Sequence, residues 1–268
     1  MGRLWTTLVL GWFFSLTKGQ VCSRSVCLPE DYNQMDLPEA EDGGPVRIMT
    51  TIHLIDIFNV HSDTFTLDLS LYINFGWIDN RILRKISTAV EVPRSFMELV
   101  WKPDLYIWDL NQEHKYSNKL TRETMFIQEY DNTTYVSYST EIDVGVVWPM
   151  NFSRFPFDSN ACEFRLSSFI YENEKVLTFY TNESTAPDTR LKKEKINKYH
   201  IEVDYLNDSR ITSRNYPESF DSAPGLRIVL TTKPEKYLWV YFLPSSMFTF
   251  TSWNSWKLKI FNILIFCC

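Results

Sequence analysis

Tyr72 and Phe169 are aromatic residues at positions where strand periodicity puts polar ones. In TFTLDLSLYINFGW, residues 64–77, Phe65, Leu67, Leu69, Leu71, Ile73 and Phe75 alternate with Thr66, Asp68, Ser70, Tyr72 and Asn74, the period-2 pattern of a strand with one buried face. Tyr72 falls on the polar side. Phe169 likewise shares a strand face with Glu163 and Arg165. An aromatic ring on a polar face either covers a loop or offers its negative π face, which attracts cations. That is binding chemistry rather than catalysis. No Ser/His/Asp arrangement, phosphate loop or pair of carboxylates in a recognisable setting accompanies it, so no enzyme and no cofactor are expected. Four scattered histidines, His53, His61, His114 and His200, lack metal-ligand spacing.

The cysteines raise a second question. WPMNFSRFPFDSNAC, Trp148 to Cys162, is rich in aromatics yet holds a cysteine at one end alone. Residues 1–19 read as a secretory signal, with Arg3, an apolar run from Leu4 to Leu16, and Thr17 and Gly19 before a cut. Four Asn-x-Ser/Thr sequons agree with export: Asn132, Asn151, Asn182 and Asn207. Disulfides persist outside the cell. Cys22 and Cys27 can pair locally, which leaves Cys162 over.

These residues need elements to position them. VSYSTEIDVGV (136–146) is a second clear strand, and CEFRLSSF, KVLTFY, HIEVDYLN and GLRIVLTT are shorter ones. Strands separated by turn signals, with little helical periodicity, predict an all-β, immunoglobulin-like sandwich over residues 20–236. A short helix is expected around Glu30 to Met35. Tyr237 to Trp256 runs 20 residues without a charge and is followed by Lys257 and Lys259. That length fits a transmembrane helix with a cytoplasmic tail, residues 257–268. Pro244 and the diluting Ser, Thr and Asn leave a buried core segment as the alternative. The formal charge of -6 argues against nucleic acid.

Several motifs in order resemble the Cys-loop, pentameric neurotransmitter-gated ion-channel superfamily, from about Leu28 to Trp256. They are Trp77-Ile78-Asp79, Trp101-Lys102-Pro103-Asp104, Phe155-Pro156-Phe157-Asp158 before Cys162, and Leu243-Pro244-Ser245-Ser246 followed by Ser252-Trp253. The family signature is two cysteines separated by 13 residues. Counting back from Cys162 puts Trp148 where the first would stand. Loss of such a bridge forfeits about 3 kcal/mol of loop-closure stabilisation. A buried Trp, removing on the order of 200 Å² from water, offsets part of it.

The resemblance implies a small-molecule site between subunits, inside a box of aromatic side chains. Counted from the matched motifs, Trp108 and Phe169 fall on one wall, with Tyr216 and Phe220 in a loop that closes over it. Tyr72 falls on the neighbouring subunit's wall. In relatives that bind glycine or glutamate, arginines grip the carboxylate from the strand of Tyr72 and the strand of Ser139. Here Asn74 and Glu141 stand at those positions, which favours a cationic amine over an amino acid. The partners implied are homologous subunits in a homo- or hetero-pentamer at the plasma membrane, with the N-terminal domain outside. The sequence stops twelve residues after Trp256, before any pore helix. Two readings follow: a channel subunit truncated before its pore, or a membrane-tethered, non-conducting binder that acts as a decoy.

Overall fold

The computed structural model describes residues 19–40, 42–84, 88–113, 123–171, 175–180, 198–206, 210–212 and 220–266. In chain order the strands are β1 (Val21–Ser23), β2 (Val26–Leu28), β3 (Val46–His61), β4 (Thr66–Ile78), β5 (Leu83–Arg84) and β6 (Val90–Glu91). After helix α1 (Arg94–Met97) come β7 (Leu105–Ile107), β8 (Leu110–Glu113), β9 (Thr124–Tyr130), β10 (Thr133–Val147) and β11 (Ser159–Ser168). They are followed by β12 (Val176–Tyr180), β13 (Tyr199–Leu206), β14 (Arg210–Thr212), β15 (Phe220–Ser222) and β16 (Gly225–Thr232). The chain ends in α2 (Pro234–Tyr237), a π-helical turn (Leu238–Phe242) and α3 (Leu243–Phe266).

Two sheets make the sandwich. The larger runs β12-β3-β4-β10-β9-β6, with β8 also on β10; the smaller runs β13-β16-β11-β7. The apolar positions of β4, Leu67 through Trp77, join Cys162, Phe164 and Leu166 of β11 and Leu226, Ile228 and Leu230 of β16 in one buried core. Antiparallel pairing of β4 with β10 sets Phe75 opposite Tyr138, and Leu71 opposite Ile142. Ser139 consequently faces outward beside Asn74, and Glu141 beside Tyr72.

The motif residues fasten this frame. Asp79 is fully buried and takes hydrogen bonds from Arg81 Nε and Nη2 at 2.8 Å each and from the Tyr32 hydroxyl at 3.1 Å. Tyr32 in turn accepts the Trp101 N–H at 2.9 Å and carries the Arg81 guanidinium 4.7 Å over its ring. Burial and the Asp79 charge push the Tyr32 hydroxyl's pKa well up. Trp77 and Trp101 meet edge-to-face, 5.6 Å apart.

Two expectations are corrected. Residues 30–35 form turns, not a helix, because the Asn33 side chain accepts the Met35 N–H and bonds Asp36, competing with helical pairing. Phe65 is not part of the buried alternation. It sits exposed in a turn at φ 54, and the strand starts at Thr66.

The expected span is helical, but among the described residues no helix is long and apolar enough to cross a membrane. Its polar side chains bond inward: Ser246 to the Leu243 carbonyl, Thr249 to Ser245 and Thr251 to Phe248. The π-helical turn ends two residues before Pro244, whose ring has no N–H and crowds the carbonyl four residues back, within that turn.

Candidate ligand-binding site

One wall is built at the end of the smaller sheet. β7 pairs with β11 so that Tyr106 lies opposite Ser167 and Leu105 opposite Ser168. This register brings together residues about sixty positions apart. The Trp108 indole N–H donates to Ser167 Oγ at 2.7 Å, and the Trp108 backbone N–H to the Arg165 carbonyl at 3.0 Å. Tyr106 lies between the two expected aromatics, 6.1 Å from the Trp108 ring and 5.8 Å from the Phe169 ring.

Asp104 holds the turn that carries Phe169. Its carboxylate accepts Ser168 Oγ–H at 3.0 Å and the Ile170 N–H at 2.6 Å, while its carbonyl accepts the Phe169 N–H at 3.0 Å. Phe169 is left 51% exposed, its ring outside the core. On the same face Arg165 and Glu163 pair at 2.6 Å, which neutralises the charge next to the aromatics.

The other wall is the outward face of the larger sheet. Tyr72 lies between His53 on β3 and Glu141 on β10, and Asn74 lies between Thr51 and Ser139. Ser137 Oγ donates to Asn74 Oδ1 at 3.0 Å, so the Asn74 amide is held within the sheet. One row further, Asp56 and Asp143 flank Ser70. From Thr51 to Asp56, Asp68 to Asn74 and Ser139 to Asp143, this face carries four carboxylates, Asp56, Asp68, Glu141 and Asp143. It carries no Lys or Arg there.

Trp108 and Phe169 are therefore neighbours, whereas Tyr72, Ser139 and Glu141 belong to the opposite side of the sandwich. Phe220 opens β15 opposite Thr212, and Tyr216 lies outside the described residues. Tyr106 and Ser167 were not among the expected site residues. The Tyr106-x-Trp108 alternation just after Trp101-Lys102-Pro103-Asp104 is the signal that could have found Tyr106; Ser167 left none.

The loop from Trp148 to Asp158 joins β10 to β11. Trp148 is 1% exposed, with its ring 6.5 Å from Tyr199 and its backbone N–H on the Phe65 carbonyl at 2.7 Å. Cys162 is a buried free thiol, 4.0 Å from the Val147 carbonyl oxygen, and burial pushes its pKa up to about 12. Asp158 is buried and accepts the Asn160 amide at 3.0 Å. Pro156 is buried and follows a cis bond, while Phe155 and Phe157 are exposed at the tip. Phe155 meets Tyr237, at the start of the terminal helix, edge-on at 4.7 Å.

Cys22 and Cys27 face each other across β1 and β2 and are disulfide-bonded. Asn132 sits exposed in the β9–β10 turn and Asn151 exposed in the loop after β10. Asn182 and Asn207 lie outside the described residues, as does most of the expected signal segment.

Residues 25–228 match the family model described as neurotransmitter-gated ion-channel ligand binding domain. Among curated proteins, the γ-aminobutyric acid receptor subunit pi of Rattus norvegicus is 26% identical over 149 residues, 56% of this chain and 33% of that protein. The subunit rho-2 of Homo sapiens is 25% identical over 164 residues, 58% of this chain and 34% of that protein. Ligand-gated ion channel 50 of Caenorhabditis elegans is 22% identical over 227 residues, 83% of this chain and 44% of that protein. The chain thus spans between a third and a half of these relatives' length. With a two-sheet sandwich underneath and the family model covering most of its length, the chain belongs to the neurotransmitter-gated ion-channel ligand-binding domain family.

Proposed function

We propose that the chain is the extracellular ligand-binding portion of a ligand-gated ion-channel subunit. It takes a small cationic amine between the Tyr106–Trp108–Phe169 wall of one subunit and the Tyr72 wall of the next, in a pentamer of homologous subunits. The observation that carries this reading is the acidic, arginine-free face around Tyr72. The names of two of the relatives point to γ-aminobutyric acid, whose carboxylate needs a cationic partner. On this chain Asn74 and Glu141 occupy the rows where that partner would stand, and Glu141 repels a carboxylate. An ammonium meets the reverse situation: aromatic π faces on one side and carboxylates on the other. The helix from Pro234 onward is the membrane anchor in this reading. Its inward-bonded hydroxyls meet the requirement that polar groups in lipid find partners inside the protein.

The test is a titration of the full chain, reconstituted and assembled, with choline as the probe cation. A cation over an aromatic face gains about 0.5–2 kcal/mol, so Trp108→Ala and Phe169→Ala should each weaken binding several-fold. Asn74→Arg should weaken it too, by placing a like charge beside the box. Unchanged affinity in both alanine variants would show the box assignment wrong. Glycine or glutamate binding more tightly than choline would refute the preference for a cation.

A further inference from the structure

His53 is the polar residue of this face that the site description leaves unused. It lies directly across from Tyr72 in the β3–β4 register, and its ring stacks on the tyrosine ring at 6.1 Å with 26° between the planes. It is 5% exposed, and its Nδ1 is buried with no hydrogen-bond partner. A phenyl ring would make the same stack without stranding a polar atom. The position instead holds a ring whose charge can change near physiological pH.

Resting on the reading that the Tyr72 face is half of the ligand site, we infer that His53 is a positioning residue of that half-site. It holds the Tyr72 ring while neutral and releases it when protonated, so ligand binding weakens as pH falls. The neutral form dominates at pH 7 because burial lowers the imidazole pKa from its ordinary value. Among the described residues, the titratable groups sharing its face are Tyr72 and Asp68 on β4, Glu141 and Asp143 on β10, and Asp56 further along β3, where His61 pairs with Asp68 at 3.0 Å. None of the four carboxylates forms an ion pair with His53. Protonation would turn Nδ1 into a second charged donor with nothing to accept it. The ring must then move toward water or toward a carboxylate, and either path ends the stack on Tyr72. It also places a positive charge behind a wall that faces a cation. The sign follows: burial has lowered the imidazole pKa, so the neutral ring's contribution is complete at and above the ordinary histidine value of about 6.5 and is lost as pH falls through the lowered value beneath it.

Choline suits the experiment, because a quaternary ammonium keeps its charge at every pH. The full assembled chain is titrated at pH 7.5, 6.5 and 5.5 as wild type, His53→Phe and Tyr72→Ala. Wild type should lose about fivefold or more in affinity from pH 7.5 to 5.5. His53→Phe, whatever its affinity at pH 7.5, should lose most of that dependence. His61, His114 and His200 remain in the variant, so the difference between the two profiles isolates His53. Parallel profiles for wild type and His53→Phe overturn the inference. If His53→Phe does not assemble, His53→Gln, neutral at every pH, must show the same flattened profile. Tyr72→Ala separates the two levels. Weakened binding at every pH keeps the site reading even if the histidine inference fails, while unchanged binding removes the site reading itself.

Discussion

Replacing Asp104 by alanine isolates the turn that presents Phe169. The substitution deletes the acceptor of Ser168 Oγ–H at 3.0 Å and of the Ile170 N–H at 2.6 Å, while the Asp104 carbonyl keeps its bond from the Phe169 N–H. Hydrogen bonds to a charged group contribute about 1.5–3 kcal/mol each. Asp104 is half-buried, so the lower value applies and the two together come to about 3 kcal/mol. If half of this is felt as disorder of the Phe169 turn, choline affinity falls about tenfold, since 1.4 kcal/mol is one decade. The urea midpoint falls in parallel, and Asp104→Asn, which keeps one acceptor oxygen, lies between. A lowered midpoint with affinity within twofold of wild type would show that the turn is structural and Phe169 is outside the site. No change in either quantity would refute the energetic role of the two bonds.

Asp79→Asn should destabilise the domain by about 3–5 kcal/mol, because it leaves the Arg81 guanidinium without its buried counter-charge. Urea unfolding measures this, and a loss under about 1 kcal/mol would contradict it. Cys162, with its pKa raised to about 12, should resist iodoacetamide at pH 8 while folded. It should react promptly on unfolding without reductant. Native-state alkylation at the rate of a free thiol, or a need for reductant after unfolding, goes against a buried, unbridged thiol.

The legible strands were those with one polar row, even where that row is buried, as at Asp68 and Ser70 of β4. β4 and β10 alternate cleanly because their outward rows are polar. β3, the longest of the described strands, was missed because its alternation is blurred: Thr50 falls on the buried row with Ile48, Ile52 and Leu54, and Met49 on the outward row with Thr51 and His53. The N-terminal helix was misread because Asn33 captures its own neighbours, a local competition that hydrophobic period does not register. Tyr72 and Phe169 stood out because their rings break a polar row. Tyr106 and Ser167 did not, because their meeting depends on a three-residue strand pairing with a segment about sixty positions later. His53 carried no signal at all in one dimension. Its stack on Tyr72 and its stranded nitrogen exist only once β3 and β4 are in register.

β10, the loop and β11 form one continuous arm. Glu141 stands seven residues before Trp148, and Phe169 stands seven residues after Cys162. At ~3.4 Å per residue, each lies about 24 Å from the crossover. The arm thus has two limbs of equal length in different sheets, one ending at each wall. Its elbow is pinned by Phe155 against Tyr237. In a ring of identical subunits, a ligand would press on the β11 limb of one copy and the β10 limb of the next. Each arm would then be loaded from both ends by two different ligands, and its elbow would register their balance rather than the presence of either one.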